Sequence, residues 1–196
     1  MDFGVVDYSN PLVEELKTAQ RHNMLTPWSE TRRPLPAKPI AANIRAIGEG
    51  DATRFHATMD ATPGWEGWFR RWQRTWDSPT PDCITITDDW AVEQGEGVIF
   101  HWTTPLPMQR AGDKIIITGR RGRAEITIPA DTEAIIEQLP LVNPARKAID
   151  RERREVVRYG IDDAETQPRL TFRQRGRTGR LHVVVRLMPA PSAATR

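Results

Sequence analysis

The sequence predicts an all-β fold, an antiparallel β-sandwich, on two main observations. Runs of alternating apolar and polar residues, rich in β-branched side chains, recur about every ten residues, which is typical of a sandwich. Loops rich in Gly, Pro and Asp separate these runs along the 196-residue chain. We expect one domain over residues 1–189 and a frayed tail over 190–196.

A tryptophan-rich stretch, residues 65–90, is central to this prediction because it contains five of the seven tryptophans. Over 65–76 the tryptophans recur at a spacing that fits a helical stripe, but alternation along a strand fits equally well. The flanks favour a strand, since 77–81 is rich in turn residues and 83–87 alternates Ile with Thr. We therefore predict an antiparallel pair of strands with Trp72 buried.

The other elements are predicted from the same signals. One or two helical turns are expected over 11–20, a short strand over 22–26 and a proline-rich loop over 27–39. The charged stretch 140–167 interrupts the rhythm, so we expect a polar insertion outside the core, with a short helix over 144–158. The further strand-like runs are 41–47, 52–59, 97–103, 114–118, 124–128, 133–139, 170–173 and 181–187. The first two are expected to be joined by a hairpin loop over 48–51 that contains Gly48 and Gly50.

The composition excludes several classes of protein. A net charge of +2 gives no reason to expect a nucleic-acid partner, and no apolar run is long enough to cross a membrane. The single cysteine, Cys83, allows no internal disulfide, and no leader segment is expected before the fold. Arginine makes up 24 of the 28 basic residues. Its planar side chain suits carboxylate, sulfate or phosphate, although a bias of the source genome explains it equally well.

The tryptophans and their neighbours are candidates for ligand binding. Such large aromatic side chains usually lie in the core, but one or two of them could stack on sugar rings. Arg70, Arg71 and Arg74 stand beside them and could pair with uronate or sulfate groups. No histidine or cysteine spacing typical of a metal site occurs, and no phosphate-binding loop or nucleophile motif is found.

Several motifs together resemble the heparinase II/III family of polysaccharide lyases. The first block, DFGVVDYSNPLVEELKTAQRHNML, contains a D-x-G stretch, a tyrosine and then His22-Asn23. Downstream, GWFRRWQRTW and DCITITDDWAVEQGEGVIFHWTTPLP are similar to that family's run of strands, and RLTFRQRGRTGRLHVVVRLMP fits its final hairpin. The resemblance covers nearly the whole chain, but only as the C-terminal β-sandwich of such a lyase.

The resemblance implies a function and a partner. In that family an α/α toroid meets the sandwich, and an acidic, uronate-containing polysaccharide lies between them and is cleaved by β-elimination. Most catalytic groups come from the toroid, so we expect no catalytic residue in this chain and no activity from it alone. The toroid is expected on a longer or separate chain, and the family's location implies a periplasmic or secreted protein.

The resemblance also implies particular site residues. Asp2 and His22 match two ligands of a structural zinc site, whose remaining ligand is expected in an H-x-H segment upstream of Met1. The expected substrate-binding residues are Asn23, Arg71, Trp72 and Arg74. Two alternatives stay open: a non-catalytic carbohydrate-binding module, and a structural partner that completes a toroid carried on another chain.

Overall fold

The computed structural model of the chain describes residues 18–31, 35, 37–140, 148–149, 156–157 and 166–189. These residues form almost no helix: two 3-10 turns, Ala19–Arg21 and Thr62–Trp65, are the helical elements among them. No helix within the described ranges is long and apolar enough to cross a membrane. The predicted all-β fold is confirmed.

Fourteen strands are present in the described part of the chain. In chain order they are β1 (Leu25–Trp28), β2 (Ala46–Gly50), β3 (Phe55–Asp60), β4 (Phe69–Thr80), β5 (Cys83–Val92), β6 (Gly97–Thr103), β7 (Met108–Ala111), β8 (Lys114–Thr118), β9 (Gly122–Thr127), β10 (Thr132–Pro140), β11 (Ala148–Ile149), β12 (Val156–Val157), β13 (Thr166–Arg175) and β14 (Thr178–Pro189).

Twelve of these strands form two antiparallel sheets that pack as a sandwich. The large sheet has the order β2-β3-β4-β5-β14-β9-β8-β7, and the small sheet has the order β1-β6-β13-β10. Side chains from both sheets meet in one apolar core. Its largest fully buried members are Trp72, Trp90, Phe69, Phe100 and Phe172.

The tryptophan-rich stretch forms the β4–β5 hairpin at the centre of the large sheet. The strand interpretation is therefore confirmed, and Trp72 is buried, with 2% of its surface exposed. The predicted loop over 77–81 is wrong in its length, because β4 continues to Thr80 and only 81–82 turn. Pairing to the neighbouring strand, which begins at Cys83, keeps these proline-containing residues extended across a shift in register.

The edge strands begin later than the sequence predicts. Strand β2 starts at Ala46 and includes the two glycines that suggested a hairpin loop, so the predicted strand start at Ala41 is wrong. The turn lies over 51–54, between the end of β2 and the start of β3. It forms there because the Asp51 Oδ1 atom accepts hydrogen bonds from the backbone N–H groups of Thr53 (2.7 Å) and Arg54 (3.1 Å). Side-chain capping, rather than glycine content, fixes this turn.

Strand β1 is also displaced, to Leu25–Trp28, and contains Pro27. Proline lacks a backbone N–H group, and β1 tolerates it because it lies at the edge of the small sheet. Of the turns predicted over 11–20, only 18–20 lies within the described residues, and Ala19–Arg21 forms a 3-10 turn.

The helix expected over 144–158 is wrong for the residues that the structure describes there. Strands β11 and β12, at 148–149 and 156–157, pair with each other in an antiparallel register and belong to neither sheet. β-Branched residues dominate these four positions, which favours an extended backbone. The rest of the predicted helix and the tail over 190–196 lie outside the described residues.

Candidate functional site

The segment that leads into β1 carries two of the predicted site residues, His22 and Asn23. A 3-10 turn ends at Arg21, and the backbone N–H of His22 donates to the carbonyl of Ala19 at 3.2 Å. The segment then joins the small sheet, because the backbone N–H of His101 donates to the carbonyl of Met24 at 2.9 Å. His22 is half-buried at this point.

Asn23 links the two sheets. Its Oδ1 atom accepts hydrogen bonds from the backbone N–H (2.7 Å) and the hydroxyl (3.0 Å) of Thr103 in the small sheet. Its backbone carbonyl accepts a hydrogen bond from Nη1 of Arg74 in the large sheet at 3.2 Å. The side-chain oxygen of Asn23 thus bonds to the small sheet and its backbone carbonyl bonds to the large sheet, which holds the segment between the sheets.

A buried ion pair between Arg74 and Asp88 lies next to Asn23. Arg74 donates from Nε to Asp88 Oδ1 at 2.7 Å and from Nη2 to Asp88 Oδ2 at 2.8 Å, and the indole N–H of Trp72 donates to Asp88 Oδ1 at 2.7 Å. The guanidinium also lies within 6 Å of the rings of Trp72, Trp76 and Phe100, at 5.4, 5.8 and 5.5 Å.

This ion pair places two predicted substrate-binding residues inside the sandwich. Trp72 is 2% exposed and Arg74 is 5% exposed, and both use their polar groups on Asp88. The structure thus brings Asn23, Trp72 and Arg74 together in one network, in which Asn23 is half-buried and the side chains of Trp72 and Arg74 are buried and not open to a polymer.

Arg71 lies apart from this network, exposed next to Arg70 at the start of β4. Regular alternation would turn adjacent side chains to opposite faces. Here the pairing with β5 shifts between Phe69 and Arg71, so the strand gains an extra residue, and Phe69 and Trp72 both reach the core. Arg70 and Arg71 are therefore both directed to solvent, and neither has an ion-pair partner within the described ranges.

His101 lies on the outward-facing side of the small sheet and is nevertheless buried. His101 is 3% exposed, and its Nε2 atom lies 2.9 Å from the hydroxyl of Thr26. Burial, and next the positive charge of Arg169, lower the pKa of His101 to about 3. Arg169 itself holds Glu137 with two nitrogens, at 2.7 and 3.0 Å, and donates to the carbonyl of Gln20 at 3.0 Å.

The sequence reasoning missed Asp88 and His101. Asp88 could have been found from the sequence. It follows Ile84 and Ile86 at a spacing of two along β5 and so shares their inward-facing side, where a charge requires an opposite charge within the core. For His101 the sequence carried no signal for the nearly complete burial that neighbouring strands create.

The described residues include one of the two zinc ligands that the resemblance implies in this chain. His22 is described, whereas Asp2 lies outside the described residues. Within the described ranges, no three His, Cys, Asp or Glu side chains lie together in a way that could hold a metal ion. A structural zinc site normally has four ligands, and of the two implied in this chain only His22 is described, so the zinc site stays a prediction and no step of the reaction is assigned to a metal.

Comparison with solved structures identifies where this fold occurs. No family model and no curated protein sequence matches the chain. Heparan sulfate lyase HepC from Pedobacter heparinus is similar, with 14% identity and a TM-score of 0.60, over 99% of this chain and 29% of that chain. Two heparinase III structures match at 9% and 11% identity, with TM-scores of 0.63 and 0.62, over 97% and 96% of this chain and 27% of theirs.

These values bear on the fold, because the sequence identities are low. The chain spans less than a third of the length of each of these lyases. The resemblance read from the sequence motifs is thus confirmed at the level of structure: this chain has the β-sandwich fold found in one part of heparinase III.

Proposed function

We propose that this chain is the β-sandwich part of a polysaccharide lyase, and that it helps to bind an acidic, uronate-containing polysaccharide cleaved by β-elimination. The main support is the match of nearly the whole chain to one part of heparinase III structures. The proposed partner is an α/α toroid on a longer or separate chain, as the motif resemblance implies. The lengths agree with this division, because most of each matching lyase lies outside the matched region.

The chemistry of β-elimination supports the same division. The reaction needs a base that reaches the proton beside the uronate carboxylate, together with groups that neutralise that carboxylate. His101 stays neutral above a pH of about 3, but it is buried and hydrogen-bonded to Thr26, so a polymer does not reach it. In line with the motif resemblance, in which most catalytic groups come from the toroid, we assign the base to the proposed partner.

This chain alone should not cleave heparin, heparan sulfate or alginate. The unsaturated uronate product absorbs ultraviolet light, so incubation of the purified chain with each polymer should give no rise in absorbance. A commercial heparinase serves as the positive control. Steady turnover by the purified chain would contradict the proposed division between sandwich and toroid.

The exposed pair Arg70 and Arg71 is the proposed contact with the polysaccharide. Two adjacent guanidinium groups can each form paired hydrogen bonds with a carboxylate or sulfate. Replacing both with alanine should weaken binding of heparin about tenfold, and binding by the unaltered chain should weaken as salt rises. Isothermal titration calorimetry measures both effects.

A matched control separates this site from a general effect of charge. The Arg45→Ala/Arg54→Ala variant also removes two exposed arginines, but from the β2–β3 edge of the large sheet. Its affinity for heparin should stay close to that of the unaltered chain. Equal weakening in both variants would show that net charge, and not the β4 bulge, governs binding.

A non-catalytic carbohydrate-binding module is the second candidate, and the same exposed arginine pair supports it. The predicted stacking surface has less support, because Trp65, Trp72 and Trp90 are all buried. The two candidates differ in one result. A lyase part should restore product formation when mixed with the toroid part of its enzyme, whereas a binding module should retain the polymer without product in every mixture.

A further inference from the structure

A groove at one end of the large sheet lies far along the sheet from the arginine pair on β4. It has a volume of about 440 Å³, and its floor is formed by Ile117, Ala124 and Leu187, which lie side by side on β8, β9 and β14. Leu187 and Leu106 are 42% and 38% exposed, although leucine side chains are usually buried. The groove therefore offers an apolar surface to solvent.

Backbone hydrogen bonds hold the walls of this groove in place. On one side the backbone N–H of Leu187 donates to the carbonyl of Asp82 at 2.7 Å, which fixes the β4–β5 turn. On another side the backbone N–H of Leu106 donates to the hydroxyl of Thr104 at 3.2 Å. The backbone N–H of Gly119 donates to the carbonyl of Gly122 at 2.8 Å and closes the β8–β9 turn. The groove is thus preformed.

The β8–β9 turn gives the rim of the groove a positive charge. Arg121 and Arg123 line the groove, and the exposed Arg120 lies next to Arg121 at the tip of the turn. Arg123 is paired with Glu125 at 2.8 Å, whereas Arg120 and Arg121 have no ion-pair partner in the part of the chain that is described. Asp82 is the acidic side chain in the lining of the groove.

We propose that this groove binds a segment of a partner protein that presents apolar side chains next to aspartate or glutamate. The apolar floor would take the apolar side chains, and the two unpaired arginines would take the carboxylates. A polysaccharide has no apolar side chain to fill the floor, which favours a polypeptide. This inference does not depend on the proposed lyase function, since it uses a different surface and a different ligand.

Fluorescence anisotropy with labelled synthetic peptides tests the proposal. The probe is an amphipathic peptide with leucines on one face and glutamates beside them. Matched peptides carry lysines in place of the glutamates, or serines in place of the leucines. The acidic leucine peptide should bind, and each matched peptide should bind about tenfold more weakly. Absence of binding by the acidic leucine peptide would overturn the proposal.

Variants of the chain locate the binding. Leu187→Asp, Leu106→Asp and Arg120→Glu/Arg121→Glu should each weaken binding of the acidic peptide about tenfold. All these side chains are exposed, so the fold should survive, which a thermal unfolding midpoint checks. Ile47→Asp, at a residue 76% exposed on the opposite edge strand, is the matched control and should bind as the unaltered chain does.

Two other occupants give distinct results. If the chain is a dimer in light scattering and Leu187→Asp makes it a monomer, a second copy fills the groove and the proposal is wrong. If heparin binding, rather than peptide binding, depends on Arg120 and Arg121, the rim serves a polyanion and the proposal is equally wrong. The proposed division between sandwich and toroid is unaffected by either result, because the cleavage assays test it.

Discussion

Replacing Asp88 with asparagine should lower the free energy of unfolding by about 3–5 kcal/mol, because it leaves the Arg74 guanidinium charged and unpaired in the core. The two side chains are 1% and 6% exposed and lie 2.7 Å apart at their nearest atoms. Asparagine keeps the shape of aspartate and can still accept the indole N–H of Trp72. The loss therefore reports the buried charge rather than a cavity.

Urea unfolding followed by tryptophan fluorescence measures this effect. Asp89→Asn is a matched control. Asp89 is next to Asp88 and also forms an ion pair with an arginine, Arg180, at 2.9 Å, but the Arg180 side chain is 68% exposed. Asp89→Asn should lower the free energy of unfolding by no more than about 1 kcal/mol. The Asp88→Asn/Arg74→Met double variant should be more stable than Asp88→Asn alone, because no buried charge remains without its partner. Equal, small losses in Asp88→Asn and Asp89→Asn would contradict the proposed role of the buried pair.

Acid should destabilise the fold through His101 before most carboxylates are protonated. The pKa of His101 is about 3 in the folded chain, against an ordinary value of 6.5. Between these values the unfolded chain binds a proton that the folded chain does not. The contribution of neutral His101 to the free energy of unfolding is therefore fully present above pH 6.5. It is lost as the pH falls toward 3, by up to about 1.4 kcal/mol for each pH unit.

Unfolding in urea at several pH values between 7.5 and 4.5 tests this dependence. His101→Gln removes the imidazole and can keep a hydrogen bond to Thr26, so its stability should fall less steeply over the same range. The His182→Gln variant, in which His101 is still present, should keep the steep dependence. If His101→Gln and the unaltered chain lose stability in parallel, another group is responsible for the acid sensitivity.

Local patterns in the sequence were sufficient to predict the class of fold and its central hairpin. Alternation of Ile and Thr after Cys83, bounded by turn residues, predicted that the tryptophan-rich stretch is two strands, and local patterns of this kind depend only on near neighbours in the chain. The same local reading failed at Gly48 and Gly50 and at 144–158. There, side-chain capping by Asp51 and strand pairing decided the conformation.

The candidate site depended more on the tertiary structure. The sequence named His22, Asn23 and the arginines of β4 as candidates but did not show which of them lie near one another. The bulge that exposes Arg70 together with Arg71, the burial of Arg74 against Asp88 and the neutral state of His101 all follow from contacts between strands distant in sequence. Strand pairing sets the register, and register decides which side chain meets water and which meets an opposite charge.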